Sequence, residues 1–315
     1  MTSLRLVSLA AVAAAALVGA CAGSTGSSTA GAARARLPQL DSARLMSDLA
    51  RLAHDSMAGR AAGTPQNAKA RAWLVSELRR LGVEPIGGSY EHAFVRPRRN
   101  STDSIRGANV LGVIRGTQRP DRYLVVSAHY DHVGVRNGEV YNGADDNASG
   151  TAAVLQLAAH FRAHPPRHSI LLAFFDAEEL GLQGARAMVA APPVAKEAML
   201  ANVNLDMVSR TEELWAAGAR YYPQFLPLLT ELAREAPISL RIGHDSGGGR
   251  DDWMMLSDQG AFHQAGIPAL LFSVEDHPDY HKPTDDVERI VPAFYVNAVR
   301  TIAAFVERLD RQLAP

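Results

Sequence analysis

A three-layer α/β/α sandwich with a mixed, mostly parallel central sheet is the fold class this chain predicts. Three observations lead there. Short apolar runs rich in Val, Ile, Leu and Phe recur between about residues 108 and 273. Helical stretches of ten or more residues separate them, the alternation that builds parallel sheets with helices on their faces. One run, Ser169 to Asp176, is apolar almost without interruption, as in a strand covered on both sides. A length of 315 residues accommodates one large α/β domain. No internal repeat and no second domain is evident after residue 40.

The elements follow in order. Asp41 or Ser42 caps a first helix carrying Leu45, Met46, Leu49, Leu52 and Ala53 at spacings of three and four. After a turn over residues 57–65, Asn67 to Leu81 reads as an amphipathic helix. It buries Ala70, Trp73, Leu74, Leu78 and Leu81, and Gly82 ends it. Ala108 to Ile114 and Tyr123 to Ala128 are apolar runs joined by a polar turn. They read as a hairpin-like pair of strands, which makes the sheet mixed. Ser149 to His164 is helical, Ser169 to Asp176 a strand, and Leu180 to Ala191 a helix that stops before Pro192 and Pro193. Ala201 to Val208 and Pro268 to Ser273 read as strands, and Pro223 to Glu235 as a helix. Pro292 to Leu313 closes the chain as a long helix facing inward through Phe294, Val299, Ile302, Phe305, Val306 and Leu309.

Composition removes some function classes. The net charge is -1 and aromatics make up 6%, with no basic stretch interleaved among them, so nucleic acid is not an expected partner. The N-terminal segment differs from the rest. Met1 to Arg5 carries one positive charge, Leu6 to Val18 is almost wholly apolar, and small residues lead to Cys21. Residues 1–20 are too short for a comfortable membrane-crossing helix and have the shape of a secretory signal. Leu17-Val18-Gly19-Ala20-Cys21 resembles a bacterial lipobox, which implies lipidation at Cys21; the plainer alternative is an ordinary signal cleaved near Ala20. Cys21 is the only cysteine, so an exported chain makes no intramolecular disulfide. Residues 21–39 are largely small and polar and read as a flexible tether, with the folded domain over 40–315. The expected location is the cell envelope, held by the lipid alone. Ala22 in place of Asp after the cysteine favours the outer membrane in a Gram-negative cell.

The chemistry lies in a series of acids and histidines at or just after the ends of apolar runs. These are His129 and Asp131 in SAHYDHVG, Asp145 in GADDNASG, Glu178 and Glu179 in FFDAEELG, Asp206 in NLDM and His281 in DYHKPTDD. Strand ends are where a rigid sheet presents polar groups to a shared cleft. Two histidines with several carboxylates and no cysteine is the ligand set of a hydrolytic two-metal zinc site. His129 and Asp131 share a face of an extended segment, so the Asp131 carboxylate can accept the far imidazole N–H. A carboxylate of the Asp145-Asp146 pair can bridge two cations about 3.5–4 Å apart, and Asp146 or Asn147 can cap the following helix, the two roles being divided between the acids. Glu178 and Glu179 diverge, so one can bind metal while the other faces an activated water as general base. Bland alternatives exist for each motif alone: a buried structural histidine, a helix cap, or acids favoured by a helix dipole.

Taken together, SAHYDHVG, NGADDNASGTAAVLQLA, FFDAEELGLQGA, NLDMV, SDQGAFHQAGIPALLF and DYHKPTDDVERI resemble the M28 family of zinc-dependent peptidases. The opening HDSMAGRAAGTPQNAKARAWLVSELRRLGV also resembles that family's N-terminal helices, so the likeness covers about residues 40 to 310. It implies the zinc-exopeptidase fold and two Zn2+ ions. His129 and Asp206 look like the ligands of one ion, and Glu179 and His281 those of the other. Asp145 resembles the bridging carboxylate, Glu178 the general base and Asp131 the acid behind His129. A cis peptide would fall at Asp145-Asp146. Many relatives carry His at the position of Gln259, after Ser257-Asp258, so Asp258 and Gln259 are implied near the substrate. HExxH is absent. His132, His160, His164 and His168 read as surface residues; His244, His263 and His277 stay open. Residues 245–250 and Trp253 are expected to border the pocket.

The leading expectation is an aminopeptidase acting on peptides. Carboxylate edges near the metals suit a substrate's α-ammonium. A single-zinc glutaminyl cyclase-like transferase of the same fold is one alternative, with Asp258 matching a functional aspartate of such enzymes. A catalytically silent, lipid-tethered binding domain is another; loss of a ligand or of Glu178 would mark it, and none is lost.

Overall fold

A computed structural model describes residues 37–97, 103–249 and 251–313. The expected signal segment, Cys21 and the expected tether up to residue 36 lie outside the described residues, as does Arg250. Near the end of the expected tether, Leu37 lies against the core, and Arg300 Nε donates to Pro38 O at 2.9 Å.

Asp41 caps α1 (Ser42–Leu52) by accepting Arg44 N at 2.9 Å. A short 3-10 segment, Asp55–Arg60, leads to α2 (Pro65–Arg80), which has Thr64 as its cap and Pro65 in its first turn. Then come β1 (Glu91–Pro97), β2 (Ser104–Ile114), β3 (Arg119–His129) and a small hairpin of β4 (Gly134–Arg136) and β5 (Glu139–Tyr141). A π-helical turn over Ala144–Ser149 runs into α3 (Gly150–Ala163), followed by β6 (His168–Phe175), α4 (Gln183–Ala190), β7 (Met199–Leu205) and β8 (Glu213–Ala217). The chain closes with α5 (Leu226–Glu235), β9 (Ser239–Ile242), α6 (Gln259–Gln264), β10 (Ala269–Ser273) and α7 (Pro292–Gln312).

The eight-stranded sheet has the order β1-β2-β6-β3-β7-β10-β8-β9. Its centre, β6, β3, β7 and β10, is parallel, as the alternation of strands and helices predicts. The sheet is mixed, but not through a β2–β3 hairpin. β6 lies between those two strands, antiparallel to β2 and parallel to β3. The reason is burial: every residue of β6 is buried, so this strand belongs inside the sheet.

Alternation along each strand divides the core into two layers. Ile170, Leu172 and Phe174 of β6 pack with Leu124 and Val126 of β3 under residues of α1, α2, α3, α5 and α7. Leu171, Ala173 and Phe175 face the opposite way, with Val125, toward Ala185 and Met188 of α4 and Phe262 of α6. This is the three-layer sandwich. Because the four central strands run in parallel, their C-terminal ends open on one edge of the sheet, where open α/β sheets bind ligands.

Candidate metal centre and active site

His129 is the last residue of β3 and is buried. Its Nδ1 lies 3.2 Å from the backbone carbonyl of Asp131, which fixes the ring when that nitrogen carries the proton. Nε2 then points its lone pair at two carboxylates, Asp206 Oδ1 at 3.2 Å and Asp146 Oδ1 at 3.4 Å. Asp206 directly follows β7. The expected role of the Asp131 carboxylate changes here. Its Oδ1 is 3.8 Å from His129 Nδ1 and instead accepts the backbone N–H of Glu178 at 3.0 Å. The carbonyl orients the histidine, and the side chain pins the next loop.

The second group forms around Glu179. Glu179 Oε2 lies 3.2 Å from His281 Nε2, and Asp146 Oδ2 lies 3.1 Å from the same nitrogen. Burial and Asp146 push the Glu179 carboxyl up, but His132 and His281 hold it at about 2. His281 is raised to about 10 by Asp146 and Glu179. Its ring stacks on Tyr280, with centroids 4.0 Å apart.

Asp146 therefore spans the two groups, one oxygen on each side. Asp145, implied as the bridge by resemblance, faces elsewhere. Its Oδ1 accepts the N–H and Oγ–H of Ser209 at 2.8 and 2.6 Å, and Oδ2 lies 3.2 Å from His277 Nε2. The shift by one residue has a physical cause in this loop. Asp285 accepts the backbone N–H groups of both Asp145 and Asp146, at 3.1 and 3.0 Å, and so sets which side chain turns inward. The cis peptide also lies one residue later than expected, at Asp146-Asn147. Gly143, at φ 57°, permits the tight approach that precedes the pair: a Cβ there would stand 2.0 Å from Asp146 O and 2.5 Å from the His132 ring.

Three non-glycine residues with left-handed backbone lie at the cluster: Ala177 before Glu178 (φ 57°), Met207 after Asp206 (φ 57°) and His281 itself (φ 52°). Such conformations cost about 1–3 kcal/mol each and persist where surrounding structure imposes them, often at functional sites. Glu178, after Ala177, carries a carboxyl pushed well above its usual range, first by burial and then by Asp258, Asp206 and Glu179, against the pull of His129.

Two further groups complete the neighbourhood. Asp258 is fully buried, and neither of its carboxylate oxygens has a hydrogen-bond partner among the described residues. Burial raises it to about 7, with Asp206 adding to the shift and His129 opposing it. Gln259, the other residue implied near the substrate, is turned into the protein. Its Nε2 donates to Trp253 O at 2.8 Å and its Oε1 accepts from Asn204 Nδ2 at 3.1 Å, so it braces the loop instead of facing the cleft.

Sequence reasoning missed several residues here. His132 was expected at the surface. It is buried, with Nδ1 2.7 Å from Glu179 Oε1. His160 and His168 are buried too, against Glu307 and Asp310, while His164 is exposed as expected. His263 meets the Tyr222 hydroxyl at 2.8 Å, so it belongs to the scaffold. Arg60 is fully buried and, among the described residues, makes no carboxylate pair at hydrogen-bond distance. Its Nε donates to Tyr130 O at 2.9 Å, Nη1 to Asn142 O and Leu52 O at 2.6 and 2.7 Å, and Nη2 to Gly143 O at 3.1 Å. Burial lowers it to about 10, while Asp146, Asp131, Asp285 and Glu179 pull the other way.

The donor set fits divalent metal ions. One ligand atom from each of His129, Asp146 and Asp206 lies within 4.8 Å of the others, and the same holds for His132, Asp146 and Glu179. His132 Nε2 is buried with no hydrogen-bond partner among the described residues, and the 2.7 Å approach of His132 Nδ1 to Glu179 Oε1 lacks hydrogen-bond geometry, an arrangement that is costly until something satisfies it. Imidazole and carboxylate donors suit zinc and its neighbours in the transition series.

A sheet whose parallel central strands gather two imidazole-carboxylate groups around one shared aspartate at their C-terminal ends defines an α/β protein with a candidate metal centre. The chain belongs to Peptidase family M28, whose sequence pattern matches residues 109–306, more than half of the chain. It is 32% identical over 199 residues to aminopeptidase YwaD of Bacillus subtilis, covering 58% of this chain and 40% of that protein. It is 29% identical over 238 residues to a probable zinc metalloprotease of Pyrenophora teres f. teres, covering 69% of this chain and 50% of that one. The chain thus spans half or less of the length of these two curated relatives. Its fold is that of the zinc aminopeptidase BSAP from Bacillus subtilis (TM-score 0.70, 18% identity, 87% of this chain and 96% of that one). It is equally that of a Fimbriiglobus ruber glutaminyl cyclase (TM-score 0.71, 19% identity, 86% and 96%).

Proposed function

We propose that this chain is a metallopeptidase of the aminopeptidase kind, holding two Zn2+ ions and removing N-terminal residues from peptides. One observation carries the two-ion reading: the Asp146 carboxylate directs one oxygen to the His129–Asp206 group and the other to the Glu179–His281 group. Zinc, when bound, supplies Lewis acidity toward the scissile carbonyl and brings water within reach of deprotonation near neutral pH. His129 and Asp206 would hold one ion, Glu179 and His281 the other, and Asp146 would serve both. His132 stands against Glu179 as a further donor or as the group that orients it. Glu178 moves the proton, taking it from the attacking water and giving it to the leaving amine; a carboxyl raised by burial is suited to both. The unshared carboxylate oxygens offer a place for the substrate's free α-ammonium.

The test is hydrolysis of aminoacyl anilides by zinc-loaded protein, beside their N-acetylated forms and an internally cleavable peptide. Cleavage of the free amines alone, lost on chelation and restored by zinc, is the expected result. Equal cleavage of the blocked substrates would overturn the aminopeptidase reading. A glutaminyl cyclase reading draws on Asp258, a buried carboxyl without partners beside His129 and Asp206. Ring closure of an N-terminal glutaminyl peptide, with one zinc bound at saturation, would favour it.

Residues 1–21 support a second proposal, export with lipidation at Cys21 and placement on the outer membrane of a Gram-negative cell. A single acyl chain anchors weakly, and a lipidated cysteine carries more than one. Fractionation tests it: membrane partition that Cys21→Ser abolishes is expected, and a soluble mature form starting elsewhere would overturn it.

A further inference from the structure

The cleft beside Asp206 opens into a cavity of about 410 Å³. Its wall is apolar and aromatic, formed by Met207, Trp253, Leu256, Val274 and Tyr280 among others. Its mouth carries three carboxylates, Asp251, Glu275 and Asp276. Among the described residues that line it there is no lysine or arginine. We infer that this cavity takes the side chain of the substrate's N-terminal residue and selects a long cationic one, arginine or lysine. The inference rests on the aminopeptidase reading, because it needs a free N-terminal residue docked at Asp206.

The carboxylates are held in place. His244 stands between two of them, Nδ1 2.5 Å from Asp251 Oδ1 and Nε2 3.0 Å from Glu275 Oε1. The imidazole lies flat on Trp253, centroids 3.7 Å apart and planes 3° from parallel, with its edge against Trp215 at 4.1 Å. Among the described lining residues, the three carboxylates of the mouth face one imidazole and no guanidinium or ammonium group. A long cationic side chain satisfies both parts of the cavity. Its methylene stem lies on the apolar wall and its charged end reaches the mouth, where a guanidinium can also stack on the Trp253 or Tyr280 face. A glutamate side chain would meet like charge, and alanine would leave the cavity unfilled. A leucine would fill the wall and leave the carboxylates unused.

The side chains of Asp251 and Glu275 are 72% and 56% exposed, so water and salt screen their charge. The selectivity expected is correspondingly moderate. With zinc-loaded full-length protein and fluorogenic amides of Arg, Lys, norleucine, Leu and Glu, kcat/KM for Arg and Lys should exceed that for norleucine on the order of tenfold at low salt. The ratio should fall toward one in molar salt. Combining Glu275→Gln with Asp276→Asn should reduce the Arg-to-norleucine ratio several-fold. Norleucine cleaved as well as Arg, a ratio indifferent to salt, or equal losses on all five substrates in the double variant would overturn the inference and leave the aminopeptidase reading standing. Equal losses would mean that the mouth reads the α-ammonium. Failure to cleave any of the five would remove the aminopeptidase reading, and this inference with it.

Discussion

Glu178 donates its backbone N–H to Asp131 Oδ1 at 3.0 Å, tying the loop after β6 to the end of β3. The same Asp131 offers its carbonyl to His129 Nδ1. One residue thus sets both the tautomer of a proposed ligand and the position of the proposed proton carrier. Glu178→Gln should keep its metals and lose about 10²–10⁴-fold in kcat, since it removes the acid-base group alone. Asp131→Ala should lose about 10–100-fold in metal affinity or activity, the usual scale for outer partners of a metal site. Zinc stoichiometry beside kcat separates the two. Loss of zinc from Glu178→Gln would contradict its role.

Asp146 and Asp145 are neighbours with separate tasks, so their variants should differ in kind. Asp146→Ala removes the carboxylate that, among the described residues, alone reaches both groups, and should lose both metals. Asp145→Asn keeps the ligand set but weakens the hold on Ser209, and should chiefly lower thermal stability, by about 1–3 kcal/mol. Elemental analysis and thermal melts on the two proteins check this. Two metals retained by Asp146→Ala would return the bridge to Asp145.

The pH dependence of the metal-free protein follows from groups with opposite shifts. Glu179 is depressed to about 2, so the unfolded chain binds more protons there, and stability is gained as pH rises toward the ordinary glutamate range. Asp258 and Asp285 are raised to about 7 by burial. Between about 4 and 7 the folded state binds more protons at these two, and stability falls as pH rises. His281, raised to about 10, extends the fall above pH 6.5. The metal-free melting temperature should therefore peak near pH 4–5 and decline through neutrality. Zinc competes with the proton on His281, a proposed ligand, so saturation should move the peak toward pH 7 or above. Melting curves at several pH values, with chelator and with zinc, decide it. A chelated protein most stable at pH 7–8 would contradict the shifts.

The parts of the fold that were legible in the sequence are those with a strong period or a long uninterrupted run. β6 and α7 announce themselves because burial on both faces, or along one stripe, requires a patterned sequence. β1, β8 and β9 were not read. β1 is a largely exposed edge strand, and β8 and β9 are five and four residues long, too short to show a period. The site was legible as residue types at strand ends, which are fixed by topology. The choice between Asp145 and Asp146 was not, because adjacent acids in an irregular loop have no periodicity. It is decided by Asp285, 139 residues further along the chain from Asp146. His132 carried a signal, three residues after His129 in the same motif, but an offset of three does not share a face with His129 in an extended segment.

Arg60 offers the sharpest test of how the cluster is supported. Its guanidinium collects carbonyls from the end of α1, from Tyr130 just past β3, and from Asn142 and Gly143 ahead of the Asp145-Asp146 loop. A buried cation with only carbonyl acceptors holds three segments at once, and its charge lies under Asp131, Asp146, Glu179 and Asp285. Arg60→Met would strand four buried carbonyls at about 1–3 kcal/mol each, comparable with the whole stability of a typical domain, and should fail to fold. Arg60→Lys keeps the charge but has three donors and no planar fork, so it should fold with a lower melting temperature. In the folded Arg60→Lys protein, zinc affinity by chelator competition should fall about tenfold, as the loop that carries Asp146 loses its fixed position. A lowered melting temperature with unchanged zinc affinity would confine Arg60 to the scaffold and separate it from the metal centre.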